Sequence, residues 1–81
     1  MSGKFTLVMK DGSRSEVSGD VKFKVVNGQK LLTGFLETDD RMHEIYTNGP
    51  AYLDMSGNHH WFNVEKIDYR GSMIVGIMPP S

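Results

Sequence analysis

Val21-Lys22-Phe23-Lys24-Val25-Val26-Asn27-Gly28-Gln29-Lys30-Leu31-Leu32-Thr33-Gly34-Phe35-Leu36-Glu37-Thr38 is the stretch whose pattern decides the architecture of this chain. Val21, Phe23 and Val25 alternate with Lys22 and Lys24, the period of two expected when one face of a strand meets a core and the other meets water. Asn27-Gly28 follows directly, and this dipeptide tolerates the positive φ angles of a two-residue type I′ turn, so a hairpin is predicted. The returning strand, Lys30 to Thr38, places Leu32, Gly34 and Leu36 on one face and Leu31, Thr33 and Phe35 on the other. A glycine in mid-strand signals sharp curvature or the close approach of another backbone.

Strand chemistry continues on both sides of the hairpin. Val, Ile, Thr, Phe, Tyr and Trp total 23 residues, whereas Ala and Leu total six, a balance that favours sheet over helix. Phe5, Leu7 and Met9 alternate with Lys4, Thr6 and Lys10, with Val8 as the one mismatch. Asp11-Gly12-Ser13 reads as a turn, and Ser13 to Asp20, whose only apolar residue is Val17, as a loop or a weak edge strand. Residues 1–19 are thus expected to form an extra N-terminal strand and loop. Downstream, Asp39-Asp40-Arg41 breaks the apolar pattern, Ile45 and Tyr46 are expected to begin a short strand, and Asn48-Gly49-Pro50 to end it. Tyr52 to Met55 is strand-like again. From His60 to Tyr69 the apolar phase shifts between Val64 and Ile67, which requires a bulge or bend near Glu65 or Lys66. Met73, Val75 and Ile77 form a last strand face, and Pro79-Pro80 is expected to stop the ladder. The prediction is an all-β fold, a small, strongly bent antiparallel barrel of about five to seven strands with little or no helix.

At 81 residues the chain is expected to form a single domain. Nine basic against ten acidic side chains give a net charge of −1, which argues against broad electrostatic capture of DNA or of a membrane surface. The absence of cysteine removes disulfides, thiolate metal sites and cysteine nucleophiles together. Met1-Ser2-Gly3-Lys4-Phe5 lacks the apolar core of a signal peptide, and no apolar run approaches a membrane span, so a cytoplasmic location is expected. No Gly-x-Ser-x-Gly elbow, phosphate-cradling lysine loop or acid pair fixed across a cleft is present, so neither catalysis nor a cofactor is expected.

Two segments carry further information. Gly34-Phe35-Leu36-Glu37-Thr38-Asp39-Asp40-Arg41-Met42-His43 is followed about 30 residues later by Ile67-Asp68-Tyr69-Arg70-Gly71-Ser72-Met73-Ile74. Together they resemble the two halves of the signature of Sm-like RNA-binding proteins. In that family the first half reads Gly-x-Leu, a few residues, Asp, two residues, a hydrophobe and Asn. The second reads hydrophobe-Arg-Gly, a small polar residue and hydrophobes. Counting from Asp40 places His43 and Glu44 at the last two positions of the first half; counting from Asp39 places Met42 and His43 there. Neither choice supplies asparagine, and the strand Lys4 to Lys10 stands where the family has an N-terminal helix. The resemblance covers roughly residues 20–79 and implies an Sm-like or SH3-like barrel. Such a barrel would join other copies through strand edges into a ring and bind single-stranded, uridine-rich RNA without chemistry of its own. It would assign RNA contact to Arg70 and Gly71 in the second half, with His43 bonding to a base, Arg41 and Met42 stacking or flanking, and Asp40 as motif aspartate.

Small size, near-neutral charge and absent catalytic motifs equally suit a protein-binding module or inhibitor, such as a phage-encoded barrel that occludes a host protein. Asp39, Asp40, His43 and Glu44 carry ligand types that suit zinc or manganese, but clustered acids at a strand end read more simply as a solvated turn, and no metal site is expected. His59 and His60 should point to opposite faces of their strand and so cannot share an ion. Trp61 and Phe62 should likewise divide, one to the core and the other to a surface where it can anchor a partner. Six methionines suit a loosely packed core or an adaptable interface.

Overall fold

In the computed structural model, which describes residues 1–77, the central hairpin forms as the sequence requires. Strands β2 (Arg14–Val26) and β3 (Gln29–Leu36) pair antiparallel from Gly19↔Leu36 to Val26↔Gln29. Asn27 and Gly28 turn the chain at φ 52° and 80°, the two successive positive angles of a type I′ turn. Around this hairpin stand β1 (Ser2–Val8), helix α1 (Asp40–Asn48), β4 (Ala51–Met55), β5 (Asn58–Asp68) and β6 (Gly71–Gly76). The six strands close into a barrel in the order β1-β2-β3-β6-β5-β4, every pairing antiparallel. Two three-stranded meanders, β1-β2-β3 and β4-β5-β6, are thus joined by α1 and seal against each other along β3·β6 and β1·β4.

Alternation fills the interior. Leu7, Val17, Val21, Leu32, Leu36, Leu53, Phe62 and Ile74 are each at most 2 % exposed and supply the barrel core. The phase shift in β5 is taken up by a register irregularity between Val64, opposite Ile74, and Lys66, opposite Met73, which returns Ile67 to the inner side. Gly34, at φ 133°, lies so close to β2 that a Cβ there would stand 2.3 Å from the Asp20 carbonyl oxygen. The mid-strand glycine thus serves close backbone approach. The proposed stop at Pro79-Pro80 falls outside the described residues.

The structure corrects several local expectations, one of them in β6, where Ser72, Ile74 and Gly76 are buried and Met73 and Val75 lie on the opposite, outer face. Ile45 and Tyr46 belong to a helix rather than a strand. Asp39 caps it, its carboxylate accepting the Arg41 N–H at 2.9 Å, and Gly49 ends it by donating its N–H to the Ile45 carbonyl at 3.0 Å. Met42 and Ile45, three positions apart, both face inward with at most 1 % exposure. That apolar stripe outweighs the β-propensity of single residues. Residues 14–20, expected as a loop or weak edge, are the first half of β2, held by β1 from Ser2↔Asp20 to Val8↔Arg14 with Val17 as their buried anchor. β1 is accordingly one of the barrel staves rather than an appendage. Val8, the mismatch in the alternation, lies opposite Tyr52 of β4 at 3 % exposure, because that end of β1 is covered on both faces.

The cap is a prediction in itself. Asp39 also receives the Arg41 guanidinium at 2.5 Å, and that hydrogen bond holds its carboxyl below the usual carboxylate range. Asp39→Ala should cost about 1 kcal/mol in urea unfolding at neutral pH. Because the folded-state value is the lower one, this carboxylate's contribution is complete above the ordinary aspartate pKa of about 3.9 and is lost as pH falls through the depressed folded value. The difference between wild type and variant should therefore shrink in acid; a difference constant down to about pH 2 would refute the assignment.

Candidate functional site

The two motif halves meet at one rim of the barrel. Leu36 at the end of β3 pairs with Ser72 of β6, and the Thr38 and Ser72 hydroxyls lie 2.9 Å apart, which satisfies the buried Ser72. Gly71 opens β6 against the backbone of Leu36, directly after the Asp68–Gly71 turn.

From that rim the six sequence-selected residues diverge. Arg70 is exposed, its guanidinium 5.1 Å from the centre of the Phe35 ring and 5.7 Å from that of Tyr69. Asp68 holds it in place, one oxygen accepting the Arg70 N–H at 2.8 Å and the other the guanidinium at 3.0 Å. These bonds to Arg70 also keep the Asp68 carboxyl below its ordinary range. Asp40 lies exposed in the first turn of α1, where its charge favours the helix dipole.

Three residues named by the resemblance do not gather into one pocket with Arg70 and Gly71. Met42, assigned a stacking or flanking contact, is 0 % exposed, since the helix turns it into the core. Arg41 is engaged within the chain: besides Asp39 it donates to the Ser15 hydroxyl and, at 3.1 Å, to the Glu16 carbonyl, pinning α1 to β2. His43 is exposed and faces β5, lining a shallow cavity with Tyr46, Glu65, Lys66 and Ile67 rather than with Arg70 and Gly71. A loop could have gathered these side chains around one pocket; a helix turns successive residues by about 100° each, so Arg41, Met42 and His43 point to different surroundings.

Arg70 instead has neighbours that the motif did not name. On the outer face of the sheet, Phe35 of β3 lies beside Met73 of β6, which lies beside Lys66 of β5. Lys66 also reaches Asp68, at 3.7 Å. Tyr69, at the turn, is 95 % exposed. The assembled surface is an aromatic and guanidinium stack with a second cation beside it. Strand alternation separated Phe35 from Leu32 and Leu36, and burial of those two leucines puts it on the outer face; the pairing of β3 with β6 is what brings it to Arg70.

The histidines and the tryptophan separate as their strand parity demands. His59 stacks on Tyr52 with ring centres 4.2 Å apart, whereas His60 meets Phe23 edge-on at 4.9 Å. Phe62 is fully buried, and Trp61 lies half-buried on the outer face, tilted against Tyr52 at 4.9 Å. The closed ring leaves strand edges open only where pairing runs out, which restricts where assembly through edges could occur. No helix among the described residues is long and apolar enough to cross a membrane. Searches for relatives found no match among family models, curated proteins or solved structures.

Proposed function

We propose that this protein binds single-stranded RNA, without chemistry of its own, on the outer sheet face around Arg70. The carrying observation is the Arg70 guanidinium stacked against Phe35 and Tyr69, with the Tyr69 ring 95 % exposed. Unpaired bases are held by stacking on aromatic rings and guanidinium planes, and such stacking is worth about 1–3 kcal/mol per base. Tyr69 offers an open ring, Arg70 both a plane and hydrogen-bond donors, and Lys66 a charge for the adjoining phosphate. The meeting of the two motif segments at Thr38 and Ser72, which puts Arg70-Gly71 beside the end of β3, supports the same reading.

A net charge of −1 means that affinity must come mainly from stacking. With two cations in the patch and Asp68 offsetting one of them, log K against log salt should fall with a slope between about −0.7 and −1.4. Fluorescence anisotropy with a labelled oligo-uridine checks this. Tyr69→Ala and Arg70→Ala should each weaken binding by about 1–3 kcal/mol while leaving the far-ultraviolet circular dichroism unchanged. Absence of binding by the wild type at low salt, or binding by both variants as tight as that of the wild type, would refute the proposal.

A further inference from the structure

The tip of the β2–β3 hairpin has an edge that the barrel does not use. Pairing of β1 with β2 runs to Met1, whose nitrogen and carbonyl bond the Val21 carbonyl and N–H, each at 2.9 Å. Beyond that point no strand lies beside this edge of β2 among the described residues, while its other edge continues with β3 to Val26↔Gln29. Backbone groups alternate between edges in an antiparallel ladder, so Phe23 and Val25 direct their N–H and C=O groups to the same side as Val21, the open one. Val25 is 66 % exposed, as expected of a segment with nothing laid over it.

The side chains state what could be added there. Lys22 and Lys24 stand exposed on the outer face, and neither takes part in an ion pair among the described residues. Glu65 shares a cleft with Lys24 without reaching it as an ion pair. Phe23 and Val25 occupy the opposite parity, Phe23 packing against the edge of the core. A strand laid along this edge would set its own side chains beside the lysines on one face and beside Phe23 and Val25 on the other. A second copy joining edge to edge would bring lysines against lysines, a recognised barrier to self-pairing. Charge complementarity selects a different occupant.

We propose that the Lys22–Val26 edge of the hairpin accepts an extended peptide segment in which acidic residues alternate with apolar ones, extending the sheet by one strand. Backbone bonds to Phe23 and Val25 would supply affinity, and the alternation would supply selectivity. The site uses the edge of β2 rather than the outer-face stack at Arg70, and so stands apart from the RNA reading.

The test uses the full chain and an acetylated, amidated octapeptide alternating glutamate and valine. Its addition should slow hydrogen exchange at the Phe23 and Val25 amides at least tenfold. A counterpart with lysine in place of glutamate should bind at least tenfold more weakly, and the Lys22→Glu/Lys24→Glu variant should reverse that preference. Val25→Pro, which removes an outward N–H, should abolish the protection, whereas Val25→Ala should retain it. The proposal is overturned if those amides are already protected in the free protein, or become protected merely as protein concentration rises. It is equally overturned if both peptides bind alike, or if oligo-uridine rather than the peptide protects this edge.

Discussion

Gly34→Ala is expected to cost at least about 3 kcal/mol, and to leave the chain unfolded if its total stability lies near the low end of the usual range of about 5–15 kcal/mol. Two effects add. At φ 133° an alanine is strained whatever the space around it, and its Cβ would meet the Asp20 carbonyl oxygen at 2.3 Å and the Val21 Cα at 2.8 Å. Both obstacles are backbone atoms of β2, so no side chain can swing aside; the hairpin itself would have to part at Val21↔Gly34. The next pairing out, Gly34↔Ile74, holds β3 to β6 and would be disturbed by the same shift. Urea unfolding followed by circular dichroism is the measurement, and a midpoint within experimental error of wild type would show that β2 and β3 do not approach so closely.

Phe62→Ala is expected to cost about 3–5 kcal/mol, the range for removing a fully buried aromatic side chain. Its neighbours across the sheet make the upper end of that range the expected one. Phe62 is opposite Ala51 on β4 and Gly76 on β6, so a large ring is flanked by the two smallest side-chain types and fills the space they leave. Neither neighbour can expand into the void. Alternating large and small interior residues is how a narrow barrel is packed, and truncating the large member leaves a cavity rather than a rearrangement. For a domain of this size the loss should lower the melting temperature by roughly 15 °C or more. Trp61→Ala, next in sequence but on the outer face and half-buried, should cost less than half as much; equal losses at the two positions would mean that the inside and outside of β5 are wrongly assigned.

The difference between the legible and illegible parts of this fold follows from the range of the interactions concerned. The hairpin turn, the division of β3 into two faces, the bulge in β5 and the split between Trp61 and Phe62 all rest on alternation and turn chemistry within a few residues. The polar first half of β2 has no such local signature. It is a strand because β1 lies along it from Ser2 to Val8, and because Val17 finds a core assembled from distant segments. Helix α1 carried its own signs, in the Asp39 cap, the Met42 and Ile45 spacing and Gly49-Pro50 after the last turn. Only nine residues long, it offers two inward positions, too few to stand out against a strand-rich chain.

The candidate site divides along the same line. Local pattern was enough for a bent antiparallel barrel, for a turn at Arg70-Gly71, and for setting Phe35 on the opposite face of its strand from Leu32 and Leu36, since each of these depends on neighbours in the chain. Long-range packing is what rests Arg70 on Phe35, ties Arg41 to β2 and withdraws Met42 into the core. Those outcomes follow from barrel closure and from the helix seated between the meanders, contacts between residues far apart in sequence that no local pattern encodes.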